Sequence, residues 1–315
     1  MRVNERKKMK KLNLLLLLTL GIHSGMTAQE PADYGSPLKI GKNFRIHPSQ
    51  VTQSEVFLVK SPVEKDILFA TCNTISFIPS FFISEGIYTS TDGGRNWTGS
   101  DTCRGEPIDF HGGDPGITID KNGTFLLTRM GRSPFVGLYS HYSLDHGQTW
   151  SGQKVISTDD LERAALTTDL HASSPYYGRS YAAWVKFAGM FPVMFSYTDN
   201  GGMSWSAPGQ VNNPSKRSAG GDLAIGPNGE VYAVWAGQLD VSPFNEILVG
   251  FASSADGGST WNVNENAFPV NGITGVMTAR TTSGLTGCRA LRWTRPTVPG
   301  KAGSILSPAR KISCL

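Results

Sequence analysis

The chain has 315 residues, 29 Lys and Arg against 25 Asp and Glu, and 39% hydrophobic residues. That balance excludes a coiled coil, a collagen-like fibre and a highly charged disordered polymer. Its 36 Gly and 18 Pro call for many tight turns, which favours short strands over long helices.

Residues 1–28 read as a signal peptide. Arg2, Arg6, Lys7, Lys8, Lys10 and Lys11 form a basic start, Leu14 to Leu20 a short apolar core, and Met26-Thr27-Ala28 a small-residue cleavage site. The apolar run is too short to span a bilayer, so no membrane span is expected once the signal is removed. The expected location is secreted, periplasmic or cell-surface. Export permits disulfides, and Cys72 with Cys103 is the candidate pair, bracketing the first of the repeats described next. The cysteines lack metal-ligand spacing, so neither a metal nor a cofactor is expected.

After a lead-in at 29–44, one segment recurs four times: Ser90-Thr-Asp-Gly-Gly-Arg-Asn-Trp97, Ser143-Leu-Asp-His-Gly-Gln-Thr-Trp150, Thr198-Asp-Asn-Gly-Gly-Met-Ser-Trp205 and Ser254-Ala-Asp-Gly-Gly-Ser-Thr-Trp261. Asn200 stands where the others have Asp92, Asp145 and Asp256. The starts are 53, 55 and 56 residues apart. A period near 50 marks stacked supersecondary units, here four-stranded blades at about 45–105, 106–160, 161–215 and 216–270. In each repeat the Asp or Asn oxygen accepts from backbone N–H groups of its own turn. Trp97, Trp150, Trp205 and Trp261 close the hairpins by packing their rings. Between the repeats, Tyr181-Ala-Ala-Trp184 and Tyr232-Ala-Val-Trp235 read as buried inner strands.

The fold class expected over 45–275 is therefore all-β, a propeller of four recognisable blades. Residues 276–315 break the pattern. No Asp or Glu follows Glu265, whereas Arg280, Arg289, Arg292, Arg295, Lys301, Arg310 and Lys311 do. Two readings of this tail stand side by side: a basic arm for an anionic partner, or a non-homologous, disordered end to an incomplete propeller. An unclosed ring exposes sheet faces, which favours self-association.

The four Asp boxes resemble those of the BNR-repeat sialidase superfamily, over roughly residues 40–270. The resemblance implies a propeller, most often six-bladed, in an extracellular protein that acts on or binds glycans. It also implies that the boxes lie on outer hairpins and are structural. Sialidase chemistry needs arginines that converge on a carboxylate, a Tyr–Glu nucleophile and an Asp acid/base. The family's first arginine sits in Phe-Arg-Ile-Pro. Here the segment is Phe44-Arg45-Ile46-His47-Pro48, with His47 inserted, which makes Arg45 the catalytic candidate. Between Arg45 and Ser90 the only Asp is Asp66, and no acid-bearing motif surrounds it. Glu55, Asp114, Glu162 and Asp222 fall near the starts of inner strands, and Arg163 and Arg217 lie beside two of them. Two readings of this set remain open, substrate-binding residues at the mouth or hydrogen-bonding at strand ends. The expected partner is a glycan or glycoconjugate, and no nucleic-acid module is present. The alternative to a sialidase-like hydrolase is a noncatalytic propeller that binds glycan or protein.

Overall fold

A computed structural model describes residues 43–76, 81–102, 112–162, 164–272, 275–276 and 284–285. The signal peptide, most of the lead-in, Cys103, Arg163 and most of the basic tail lie outside the described residues. The chain divides into two compact units, Met1–Phe44 and Arg45–Leu315, and every strand below belongs to the second.

Four antiparallel four-stranded sheets follow in chain order, and no described residue is helical. The first is β1 (Thr52–Lys60), β2 (Leu68–Ser76), β3 (Phe82–Ser90) and β4 (Thr98–Ser100). The second is β5 (Gly116–Ile119), β6 (Phe125–Gly131), β7 (Gly137–Ser143) and β8 (Lys154–Ser157). The third is β9 (Ala165–Thr168), β10 (Ser180–Val185), β11 (Val193–Thr198) and β12 (Gly209–Gln210). The fourth is β13 (Arg217–Ile225), β14 (Val231–Gln238), β15 (Glu246–Ser254) and β16 (Asn262–Pro269). A two-residue pair, β17 (Gly275–Val276) with β18 (Gly284–Leu285), comes after them. Each large sheet is an up-and-down meander, the blade of a propeller.

The blades pack face to face because their middle strands are apolar on both sides. Phe69 stacks on Phe125 at 4.6 Å in the seam between the first two blades, with Ile67, Ile87, Ile117 and Leu127 around them. Leu138 and Ile156 meet Ala182, Trp184 and Met194 in the second seam. Tyr181, Phe195 and Val211 meet Leu223, Val231 and Trp235 in the third. Each fully buried large apolar side chain contributes about 1.5–3 kcal/mol. Successive blades also touch through their first strands, β1 to β5, β5 to β9 and β9 to β13. Among the described residues no comparable contact joins the fourth blade to the first. Val56 and Leu58 of β1 are accordingly 63% and 59% exposed.

Antiparallel order fixes what lies at each end of the blades. The four repeated turns join third to fourth strands. They share one end with the hairpins between first and second strands. The hairpins between second and third strands, and the links from blade to blade, occupy the opposite end, the mouth.

The repeated turns behave as their residue types require. Ser90 Oγ donates to Asp92 Oδ1 at 2.9 Å and accepts from Gly94 N at 2.8 Å, while Asp92 Oδ1 accepts from Arg95 N and Asn96 N, both at 2.9 Å. The same bonds recur at Ser143–Asp145 and Ser254–Asp256. Thr198–Asn200 repeats them with an amide oxygen in place of the carboxylate. The N–H of Asn96 and the Thr260 hydroxyl are the largest causes that lower Asp92 and Asp256 to about 2. At Asp145 burial opposes the Thr149 bonds, which still win and take it to about 2. These carboxylates are locked into turns and are not free to act as acids at neutral pH.

Cys72 is a free thiol, buried in mid-strand with its sulfur 3.5 Å from Tyr88 Oη. Cys103, its expected disulfide partner, lies outside the described residues. Burial pushes the thiol up from its usual value.

Candidate functional site at the mouth of the blades

Register locates a repeated irregularity at the mouth end of the first strands. In β1, Ser54 pairs with Asn73 and Phe57 with Thr71, which leaves Glu55 and Val56 opposite Cys72. In β13, Ala219 pairs with Ala236 and Asp222 with Val234, which leaves Gly220 and Gly221 opposite Trp235. Before β5, Gly112 and Gly113 bond to Met130 while Gly116 pairs with Thr128, so Asp114 and Pro115 face Arg129. Before β9, Glu162 N donates to Val185 O and Ala165 pairs with Ala183. The first, second and fourth blades thus carry a two-residue bulge at or just before the first strand, at one level of the blade.

The first bulge residue is left-handed wherever it is described: Glu55 has φ 55°, Asp114 φ 51° and Gly220 φ 56°. Only glycine adopts that conformation freely, and a side chain there costs about 1–2 kcal/mol. Bulges and left-handed side chains concentrate at functional sites, where they re-aim groups. Arg163 lies outside the described residues.

Asp114 is held in place. Its Oδ1 accepts from Asn73 Nδ2 at 2.7 Å, and its N–H donates to Asn73 Oδ1 at 2.5 Å. The neighbouring Gly113 N–H donates to Glu85 Oε1 at 3.0 Å, and Glu85 is fully buried. Glu162 is half-buried in the link before β9. Asp222 directly follows the bulge of the fourth blade, where its Oδ1 accepts from Leu223 N at 2.9 Å. Arg217 opens β13. Its guanidinium lies over the rings of Phe191 at 4.7 Å and Phe244 at 5.6 Å, with Asp240 at 4.0 Å. The structure thus places Glu55 and Asp114 in equivalent bulges, Glu162 in the link before β9, and Arg217 and Asp222 on the strand that carries the bulge of the fourth blade.

Arg45 is exposed at the start of a segment that runs along the flank of the first blade, where Ile46 packs on Ala70, Tyr88 and Cys72, the residue opposite the first bulge. On that flank Asp101 gathers Tyr88 Oη at 2.8 Å, Gln53 Nε2 at 3.1 Å, Ser49 Oγ, and His47 at 3.8 Å. Burial and the neighbouring Cys72 push the Tyr88 phenol far up, so this Tyr–Asp pair is an anchor and not a nucleophile.

Several mouth residues carry no sequence motif. Asn212, 3% exposed, ties the last two blades together: its Oδ1 accepts from Val193 N at 2.7 Å, and its Nδ2 donates to Ser218 Oγ and Glu265 Oε2, both at 3.2 Å. Burial raises the Glu265 carboxyl. Arg129 is fully buried, donating to His141 Nε2 through Nε at 3.0 Å and Nη2 at 2.8 Å. The hairpin tips are aromatic: Phe81, Phe135, Phe187 and Phe244 are 39–54% exposed, one from each blade. One clue to them was readable, because Ser133-Pro-Phe135 recurs as Ser242-Pro-Phe244. Between the tips of the second and third blades lies a cavity of about 540 Å³ lined by Arg132, Asp160 and Phe187.

No family model matches the chain, and no curated protein matches it. Solved structures do. The NanB sialidase of Streptococcus pneumoniae is 12% identical, with a TM-score of 0.54 over 82% of this chain and 57% of that one. The α-L-arabinanase of Penicillium chrysogenum is 14% identical, with a TM-score of 0.54 over 78% and 73%. The α-L-arabinofuranosidase Arb93A of Fusarium graminearum is 16% identical, with a TM-score of 0.54 over 82% and 76%. The chain spans little more than half the length of that sialidase and of a leech trans-sialidase, 57% and 53%. The fold is therefore a sialidase-like β-propeller of the kind found among glycoside hydrolases.

Proposed function

We propose that the chain is an exported, glycan-directed propeller protein that binds sugar at the mouth, where the first-strand bulges present Glu55 and Asp114. The observation that carries this reading is the left-handed bulge repeated at one level, strained at two acidic residues. Sialidase-type exo-hydrolysis is the finer reading that the sequence resemblance suggests. The noncatalytic reading rests on the sequence: no acid-bearing motif surrounds Asp66, the only Asp between Arg45 and Ser90. Glycan binding without turnover is the form we favour.

The test is a glycan array together with a fluorogenic sialoside assay on purified protein, with Asp114→Ala and Arg45→Ala variants. We expect retention of glycan, a loss of about tenfold or more in Asp114→Ala, and no turnover. Turnover that disappears in Arg45→Ala would replace the binding reading with the enzymatic one. A wild-type protein that retains no glycan overturns both.

A further inference from the structure

We propose that the cavity between the second and third blades is a separate site for a neutral oligosaccharide, distinct from the bulges. Its walls come from the β6–β7 hairpin, through Arg132 and Ser133, and from the β8–β9 link and the β10–β11 hairpin, through Asp160 and Phe187. Met130 and Leu161 complete its lining with apolar surface.

The walls are fixed before any ligand arrives. Phe135 N donates to Arg132 O at 2.6 Å, closing the β6–β7 turn, and Phe187 N donates to Asp160 O at 2.8 Å. Leu161 bridges to Lys186, and Lys186 Nζ pairs with Asp159 at 2.8 Å. That pair takes the nearby ammonium away from Asp160. Among the described residues neither Asp160 nor Arg132 makes an ion pair, and Arg132 lies over the Phe81 ring at 5.3 Å. The Phe187 ring is held against Phe191 at 5.2 Å and is still 40% exposed.

The cavity thus offers an acceptor, a fork of donors and an aromatic face. An anionic ligand meets the Asp160 carboxylate, and a cation meets Arg132. A purely apolar one uses neither of these polar groups. A sugar answers all three at once: its hydroxyls donate to Asp160 and accept from Arg132, and its C–H face lies on Phe187. The volume falls within the roughly 300–1,000 Å³ of small-molecule sites and accommodates more than one ring. Neutral chains of two or more sugars are therefore the class that fits.

The experiment is an array that carries neutral and sialylated oligosaccharides, probed with wild type, Asp160→Ala, Phe187→Ala, Phe187→Leu and Asp114→Ala, each checked for an unchanged unfolding midpoint. We expect neutral chains to be retained by wild type. Retention should fall about tenfold or more in Asp160→Ala and in both Phe187 variants, the leucine form keeping the bulk of the ring without its aromatic face. Retained neutral chains that ignore Asp160 and Phe187 overturn the site. Binding confined to sialylated chains and sensitive only to Asp114 also overturns it, and leaves the mouth reading standing. No glycan retained at all overturns the two together.

Discussion

The two ends of the blades follow different rules. At one end four turns repeat the same hydrogen bonds with interchangeable oxygens, Asp in three blades and Asn200 in the other. At the mouth end the backbone repeats, as a left-handed bulge in the first, second and fourth blades, while the residue on it changes from Glu55 to Asp114 to Gly220. One end conserves side-chain chemistry to hold the backbone, and the other conserves backbone shape while it varies the chemistry. We expect stability to depend most on the first end.

Three substitutions sharpen that contrast, in order of falling effect. Trp150→Ala at the turn end removes a ring that packs 5.8 Å from Phe69 and whose Nε1 donates to Gly147 O. It should destabilise by about 3 kcal/mol, read from the midpoint of urea unfolding. A loss below about 1 kcal/mol would show that the turn end is not where stability is concentrated.

At the mouth, Glu265→Gln should act through pH. Its folded pKa is raised by burial above the usual 4.5, so the stability its neutral form provides is present below pH 4.5 and fades as pH rises through the raised value. An uncharged glutamine escapes that loss. The variant should melt about 1–3 °C higher at pH 7 and no differently near pH 4, compared by calorimetry. Equal melting at both pH values would remove burial of the charge as the cause.

The smallest effect belongs to Glu55→Gly. Relief of the left-handed side chain is set against the greater freedom of glycine in the unfolded chain, for a net gain between zero and about 1 kcal/mol. Chemical denaturation measures it, and a clear loss would mean that the bulge depends on the glutamate itself.

The turn end was legible in the sequence because each turn is local. Ser90, Asp92, Gly94 and Trp97 meet within one hairpin, so spacing alone specifies the bonds, the period and the blade count. The mouth was legible only in outline. Glu55, Asp114, Glu162 and Asp222 were readable as lying near strand starts, but the bulge depends on pairing with residues far along the chain, such as Ser54 with Asn73. Asn212 and Glu265 join blades from 53 residues apart, and Arg132, Asp160 and Phe187 meet from three separate links and hairpins. No short motif encodes such meetings. Cys72 shows the same limit, since proximity in sequence to Cys103 said nothing of the phenol that caps its sulfur.

One turn departs from its siblings in a way that affects mechanics. Trp97 and Trp150 donate to carbonyls of their own hairpins, whereas Trp205 Nε1 reaches back to Ser140 Oγ in the preceding blade, at 2.8 Å. A hinge opening between the second and third blades must break that bond as well as separate the apolar seam. The indole is a latch across the joint, and it braces the same pair of blades that forms the walls of the sugar groove at the other end.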